Sequence, residues 1–430
     1  MHESLLATFE RLRGIYGLEL EPTRENLHRL QQKEIDLNGL ESEVAKTVSP
    51  DLLNYHGSWE SIDRMLEDVM SPEFRRLAPD SYGNGWAISW HCLDHVGFVE
   101  NPRRRDMGFH NVYDHYREIL ERHKNKTDAL HFHHHPLPFS KAAHRCATHY
   151  FSHAPIIFEI LARRIIDRHW FPCVNRPGFH ATRPDSHWFM EQFLPFDYAN
   201  QSSGEDYSAQ KDLSGGRFGD WRRAPKTWSP YHPAHDDYQR QGDCRRWIAR
   251  CLNVGTRLRL ITEQDIELAF EEATQGKPVI LAITNHDFRD IRPDINRFRE
   301  MLVKVSRRYP AIRYRYCEAR EAMRRALGMP LTDQGFKLSL ARNGNVLQVS
   351  STTRTFGPQP FWAIKTRSGQ YFHDNLDFQH PFREWTYTLD EHTCPVDSVS
   401  QVAVGACDEY GNVSVAVLNL ESGALVSAIH

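Results

Sequence analysis

The chain has 430 residues, with 53 basic and 56 acidic side chains and a formal net charge of -3. That balance excludes a disordered polyelectrolyte and argues against a nucleic-acid binder, which needs a surplus of Lys and Arg facing phosphates. At 40% hydrophobic residues the chain can bury the cores of two or three domains.

No run reaches the ~18 apolar residues of a membrane span, and the first ten residues lack the pattern of a signal peptide. The eight cysteines are scattered without a C-x-x-C pair and read as reduced thiols. A cytoplasmic protein is expected. Residues 1–80 form a helical N-terminal segment: Leu5, Leu6, Phe9, Leu12 and Tyr16 recur at helical spacing, as do Ile62, Met65, Leu66 and Val69. A cap or linker is the expectation there.

From 81 to 328 strand-like and helix-like runs alternate. Trp86–Trp90 reads as a short strand, Pro155–Arg168 as an amphipathic helix, and Thr262-Glu-Gln-Asp265 as a capping box opening a helix that ends near Gly276. Pro278–Thr284 reads as a buried strand and Asp294–Arg308 as a helix. Such alternation implies parallel strands with helical crossovers, and functional side chains gather at the carboxyl ends of those strands. Asn200–Asp243 interrupts the pattern with a polar, Gly-rich and aromatic stretch (Trp221, Trp228, Tyr231), long enough to face a substrate. Residues 331–430 hold six strand-like runs separated by turns such as Asn343-Gly344 and Ser368-Gly369, which together imply a β-sandwich.

Histidine is the residue out of line. There are 25, and eleven of them fall between His91 and His149. Imidazole is the commonest transition-metal ligand, and His131-Phe-His-His-His135-Pro136, followed by His144 and His149, is the densest group. On a strand His131, His133 and His135 share one face and His134 the other; if the strand ends near His131, a turn brings His131 and His135 together. Both arrangements suit Zn²⁺ or a similar ion. Asp94-His95 follows the first strand, Arg176 sits in the rigid turn Asn175-Arg-Pro-Gly-Phe179, and His286 follows the 278–284 strand where a general acid belongs.

In this order the pieces resemble the NodB-type polysaccharide deacetylases (carbohydrate esterase family four) over residues 81–326. His131 to Pro136 matches that family's H-x-x-x-H-P motif. Arg176-Pro-Gly-Phe179 is similar to its R-P-P-Y turn, and Ile283-Thr-Asn-His286 resembles its late strand. Trp221–Pro225 and Tyr231-His-Pro233 look like its loop over the substrate groove. The family's Asp-Asp pair reads Asp94-His95 here.

The resemblance implies a distorted (β/α) barrel carrying a metal-dependent removal of N-acetyl groups from an amino sugar of an intracellular glycan or glycan precursor. It implies a divalent metal, Zn above all, on His131, His135 and His95, with Asp94 as the third ligand instead if His95 is not. It also implies Asp94 as base, Arg176 holding that base, His286 as acid, and Phe179, Trp221, Trp228 and Tyr231 against the sugar. Two other readings stand beside it. One is an amidohydrolase-like barrel with His131-Phe-His133 as its metal strand. The other is a glycan-binding protein without catalysis, relying on the aromatic stretch and the β-sandwich.

Overall fold

The computed structural model describes residues 5–99, 107–143, 155–204, 218–256 and 258–429. His144 and His149 lie outside them, as does part of the aromatic stretch. The chain is a mixed α/β protein with one curled, six-stranded parallel sheet, half a barrel in extent, and separate antiparallel sheets.

Helices α1 (Leu5–Tyr16), α2 (Arg24–Gln31), α3 (Glu41–Thr47) and α4 (Pro50–Leu53) enclose their own small core of Phe9, Leu12, Leu30, Val44 and Leu53. Helix α5 (Trp59–Met70) starts where the Ser58 hydroxyl accepts the Ser61 N–H, and it buries the Ile62, Met65, Leu66 and Val69 face. The short α6 (Pro72–Arg75) leads to the sheet.

The parallel sheet contains β1 (Ser89–Leu93), β2 (Ala129–His133), β3 (Val174–Asn175) and β4 (Phe196–Asn200). After a small hairpin of β5 (Pro233–Ala234) and β6 (Asp237–Gln241) come β7 (Trp247–Asn253) and β8 (Ala282–Thr284). The order across the sheet is β1-β2-β3-β4-β7-β8. Ser89 pairs with Ala129 and Leu93 with His133. Side chains alternate as a pleated strand requires. Trp90 and Cys92 enter an apolar layer with Val112, Tyr113 and Tyr116 of α7 (Asn111–Arg122), while His91 and its register partner His131 share the concave face, rings 5.3 Å apart. Helix α8 (Pro155–Arg168) covers Phe132 from the convex side.

Two strand boundaries differ from expectation, each because a backbone group is taken elsewhere. Trp86 gives its N–H to the Arg75 carbonyl and its carbonyl to the Arg75 guanidinium at 2.9 Å, so pairing begins at Ser89. The Ile280 N–H goes to the Trp228 carbonyl, which leaves only 282–284 in the ladder. The expected capping box is present: Asp265 N–H donates to Thr262 Oγ1 and Thr262 N–H to Asp265 Oδ2 at 3.0 Å, opening α10 (Glu263–Thr274) after α9 (Pro184–Phe193).

After α11 (Arg292–Ser306) an extended segment runs back alongside β1, with Ala319 N–H on the Ser89 hydroxyl at 2.8 Å, into α12 (Ala319–Ala326). Residues 338–429 form two antiparallel sheets. One has β13 (Asp377–His380), β14 (Glu384–Thr388), β10 (Val346–Ser351) and β9 (Leu338–Asn343), in that order. The other has β12 (Tyr371–Asp374), β11 (Phe361–Thr366), β15 (Val399–Cys407), β16 (Val413–Asn419) and β17 (Leu425–Ile429). A core including Leu347, Trp362, Trp385 and Val404 lies between them. The second sheet's outer face packs Phe361, Ala403 and Val415 against Ile165 of α8 and Phe171. Among the described residues no helix is long and apolar enough to cross a membrane.

Candidate functional site

The concave face of the parallel sheet opens on a cavity of about 1220 Å³. Its polar end collects imidazoles at the carboxyl ends of the strands: His91, His95, His133, His135, His180 and His286, with Arg176 among them. Burial sets their protonation. Desolvation first, then neighbouring His and Arg charges, drive His91, His133 and His180 well below the ordinary imidazole range. These rings are neutral at physiological pH.

A carbonyl can only accept, so the carbonyls around the cavity fix each tautomer. His133 Nδ1–H donates to the Arg176 carbonyl. His91 Nδ1–H donates to the Phe132 carbonyl at 3.1 Å, and His180 Nδ1–H to the Ala199 carbonyl at 3.2 Å. Each Nε2 therefore keeps a lone pair. The His133 Nε2 lies 3.1 Å from His135 Nε2. Two imidazole nitrogens so placed, one with its far N–H tied to a carbonyl, have the arrangement of metal-ligating histidines and their supporting partners. At 3.1 Å His135 Nε2–H donates to the His133 Nε2 lone pair, and these two nitrogens are the ones that could hold Zn²⁺ or a comparable ion in place of that proton. Among the described residues, no three His, Cys, Asp or Glu side chains converge to enclose an ion.

The expected trio of His131, His135 and His95 is accordingly not assembled. His131 Nε2 meets Glu318 Oε2 at 2.9 Å, deep in the sheet, and Glu318 also caps α12 through the Arg320 and Glu321 N–H groups. His95 is buried just past β1, its carbonyl accepting the Gly108 N–H at 3.2 Å. His134 faces the other way, its ring parallel to Phe132, and burial lowers it to about 3.

Asp94 is turned away from the imidazoles. Both its oxygens accept from Arg164 Nη2 at 3.1 Å, and Oδ1 also accepts the His110 N–H at 2.8 Å. It does not line the cavity that holds His286. Arg176 therefore does not hold Asp94; its Nη2 donates to His180 Nε2 at 2.5 Å.

The aromatic stretch is corrected in the same way. Trp221 and Trp228 are each 0% exposed and Tyr231 is buried, so none offers a face to a ligand. Trp221 donates to the His180 carbonyl at 2.8 Å, Trp228 donates to the Asp265 carbonyl at 2.7 Å, and Tyr231 sits with Ala199 and Ile248. They support the site from behind. Phe179 alone of the four lines the cavity, its ring edge-on to His135 with centroids 4.8 Å apart. Phe179 and His180 hold φ of 54° and 49°. Side chains avoid this left-handed region at a cost of roughly 1–2 kcal/mol per residue, and two in succession mark a constrained turn.

Sequence reasoning missed several participants. The alternation Trp90-His91-Cys92 carries a signal for His91, since its neighbours are apolar and must face the helices. Glu318 carries none, standing 187 residues from its partner His131. The N-terminal segment, expected to be a cap or linker, walls the cavity with Arg11, Tyr55 and His56. His56 N–H bonds the Phe288 carbonyl at 2.8 Å, and the Tyr55 ring lies 5.1 Å from Phe288, two residues beyond His286.

Compared with family models, curated proteins and solved structures, the chain finds no match in any of the three.

Proposed function

We propose that the chain is a metal-dependent hydrolase that removes the N-acetyl group from an amino sugar of a glycan or glycan precursor. It would do so on a NodB-type (β/α) barrel, with Zn²⁺ or a similar ion seated on His133 and His135. The observation that carries this reading is the Nε2 pair, 3.1 Å apart at the carboxyl end of a parallel strand, with the His133 tautomer fixed for ligation. A divalent ion bound there supplies Lewis-acid polarisation of the amide carbonyl. The chain's own groups do the rest. His91, neutral and with Nδ1–H engaged, presents Nε2 to accept a hydrogen bond from the attacking water. His286, which lines the same cavity after β8, would hand a proton to the departing amine. Buried neutral imidazoles suit a site that must exclude bulk water and move protons near pH 7.

The amidohydrolase-like alternative expects His131 and His133 on a metal; Glu318 takes His131, and the same spacing falls instead on His133 and His135. It shares the metal and the C–N bond cleavage and differs in substrate. The glycan-binding reading loses Trp221 and Trp228 as stacking surfaces, since both are buried.

Metal analysis of the purified chain and acetate release from N-acetylated sugars, both neutral (N-acetylglucosamine oligomers) and acidic (N-acetylglucosamine 1-phosphate), test the proposal together. The expected result is one bound divalent ion and acetate release that a chelator abolishes. Full acetate release by metal-free protein, or by the double variant His133→Ala/His135→Ala, overturns it.

A further inference from the structure

Arg176 is 5% exposed, and among the described residues no carboxylate lies against it. Its Nη2 is given to the His180 ring, and its Nε has no hydrogen-bond partner. Its other neighbours lining the cavity are the imidazoles His91, His133 and His180. The nearby buried carboxylate, Glu318, is committed to His131. A buried guanidinium ordinarily brings its own carboxylate, because an uncompensated buried charge costs several kcal/mol. Here the fork lines the cavity without one.

We propose that Arg176, backed by His180, binds an oxyanion of the substrate, so that the sugar this site accepts is acidic: it carries a carboxylate or a phosphate. This rests on the hydrolase reading for the identity of the ligand as a sugar, but not for the anion itself. A guanidinium that gives Nη2 to His180 keeps further N–H donors in the same plane, and these match either oxyanion. The arrangement discriminates strongly. A neutral sugar entering the cavity leaves the buried fork unsatisfied, the circumstance in which a polar site rejects an analogue most sharply.

The experiment is calorimetric titration of the full chain with glucuronate, glucose 1-phosphate and glucose, for the wild type and for Arg176→Met and Arg176→Lys. Wild type is expected to bind at least one of the two anions about tenfold or more tighter than glucose. The preferred anion tells carboxylate from phosphate. Arg176→Met is expected to lose that preference while its melting temperature shows that it folds, and Arg176→Lys, which keeps charge without the fork, to retain part of it. No preference in the wild type overturns the proposal, as does an undiminished preference in a folded Arg176→Met. Anion preference without any acetate release from N-acetylated sugars would leave the oxyanion site standing and sink the hydrolase reading; acetate release with no preference for acidic sugars does the reverse.

Discussion

Arg164 and Asp94 form a buried ion pair, Nη2 lying 3.1 Å from each carboxylate oxygen, with the His110 N–H donating to the same carboxylate at 2.8 Å. The guanidinium also lies 3.9 Å over the Tyr113 ring. The pair ties the end of β1 to α8 and the start of α7, on the convex side of the sheet. This is the position at which the sequence resemblance puts a base, and the geometry gives it to architecture.

Asp94→Asn should therefore act on stability. Removing one member of a buried pair strands the other, at a cost of about 3–5 kcal/mol, so urea unfolding is expected to shift by that order. Acetate release per folded molecule should stay within a few-fold of wild type. A loss of several orders of magnitude in kcat/KM with an unchanged melting temperature would return Asp94 to the chemistry.

The histidines of the 131–135 run should separate into two classes. His133→Ala and His135→Ala are each expected to lower metal affinity by about 10–100-fold or more, the scale of losing a ligand or its support, with modest loss of stability. His131→Ala should keep its metal and lose stability. Glu318 is held down to about 2: burial opposes this, but the His131 hydrogen bond and charge, together with Arg320, outweigh it. An ionised carboxylate stripped of that partner costs about 2–3 kcal/mol. Metal content and urea midpoints measured on the three variants check the division; a metal-free His131→Ala would undo it.

How far the sequence reveals this site depends on the range of the interaction that makes it. Local interactions are legible. Pro155–Arg168 is helical over the expected span because its apolar face has a helical period, and Thr262 with Asp265 closes the expected capping box. The strand periodicity of 131–135 is legible too, since His131 and His133 share a face and His134 does not. Which imidazole meets which partner is not. That choice was made by Glu318 arriving from α12 to take His131, and by Arg164 arriving from α8 to take Asp94. Neither arrival leaves a local pattern. Trp221 and Trp228 mislead for a related reason: an aromatic side chain in a polar, Gly-rich stretch reads as exposed, yet each has an N–H that finds a carbonyl in the core and so can be wholly buried.

Gly178 offers a test of the metal seat that touches no ligand. A Cβ at this position would run into the His135 ring, and a contact that close must displace one of the two. Gly178→Ala is expected to push the His135 ring from His133 and to lower metal affinity by about tenfold or more, while leaving the far-off sheets at residues 338–429 intact by circular dichroism. Unchanged metal affinity in this variant would mean that the ion does not need the His133–His135 spacing.

The joint between α8 and the C-terminal sheets should respond to acid. Asp167 sits at the end of α8, where the Tyr371 hydroxyl donates to both its oxygens at 2.9 and 3.0 Å and Lys365 Nζ approaches to 3.3 Å. Burial alone would raise its pKa, but the nearby His110 ring, with Nε2 at 3.6 Å, and the hydrogen bonds from Tyr371 and Lys365 outweigh it and bring the carboxyl down to about 2, below the ordinary 3.8. A folded pKa below the unfolded one means stability that is fully present above about pH 4 and lost as pH falls toward 2. With partial solvent screening the contribution is about 1–2 kcal/mol. Wild type should therefore lose that much more stability between pH 5 and pH 2.5 than Asp167→Asn, whose side chain does not titrate. Parallel acid-side urea titrations of the two proteins give the difference directly, and superimposable curves would mean that the carboxylate contributes nothing to holding the sheets on α8.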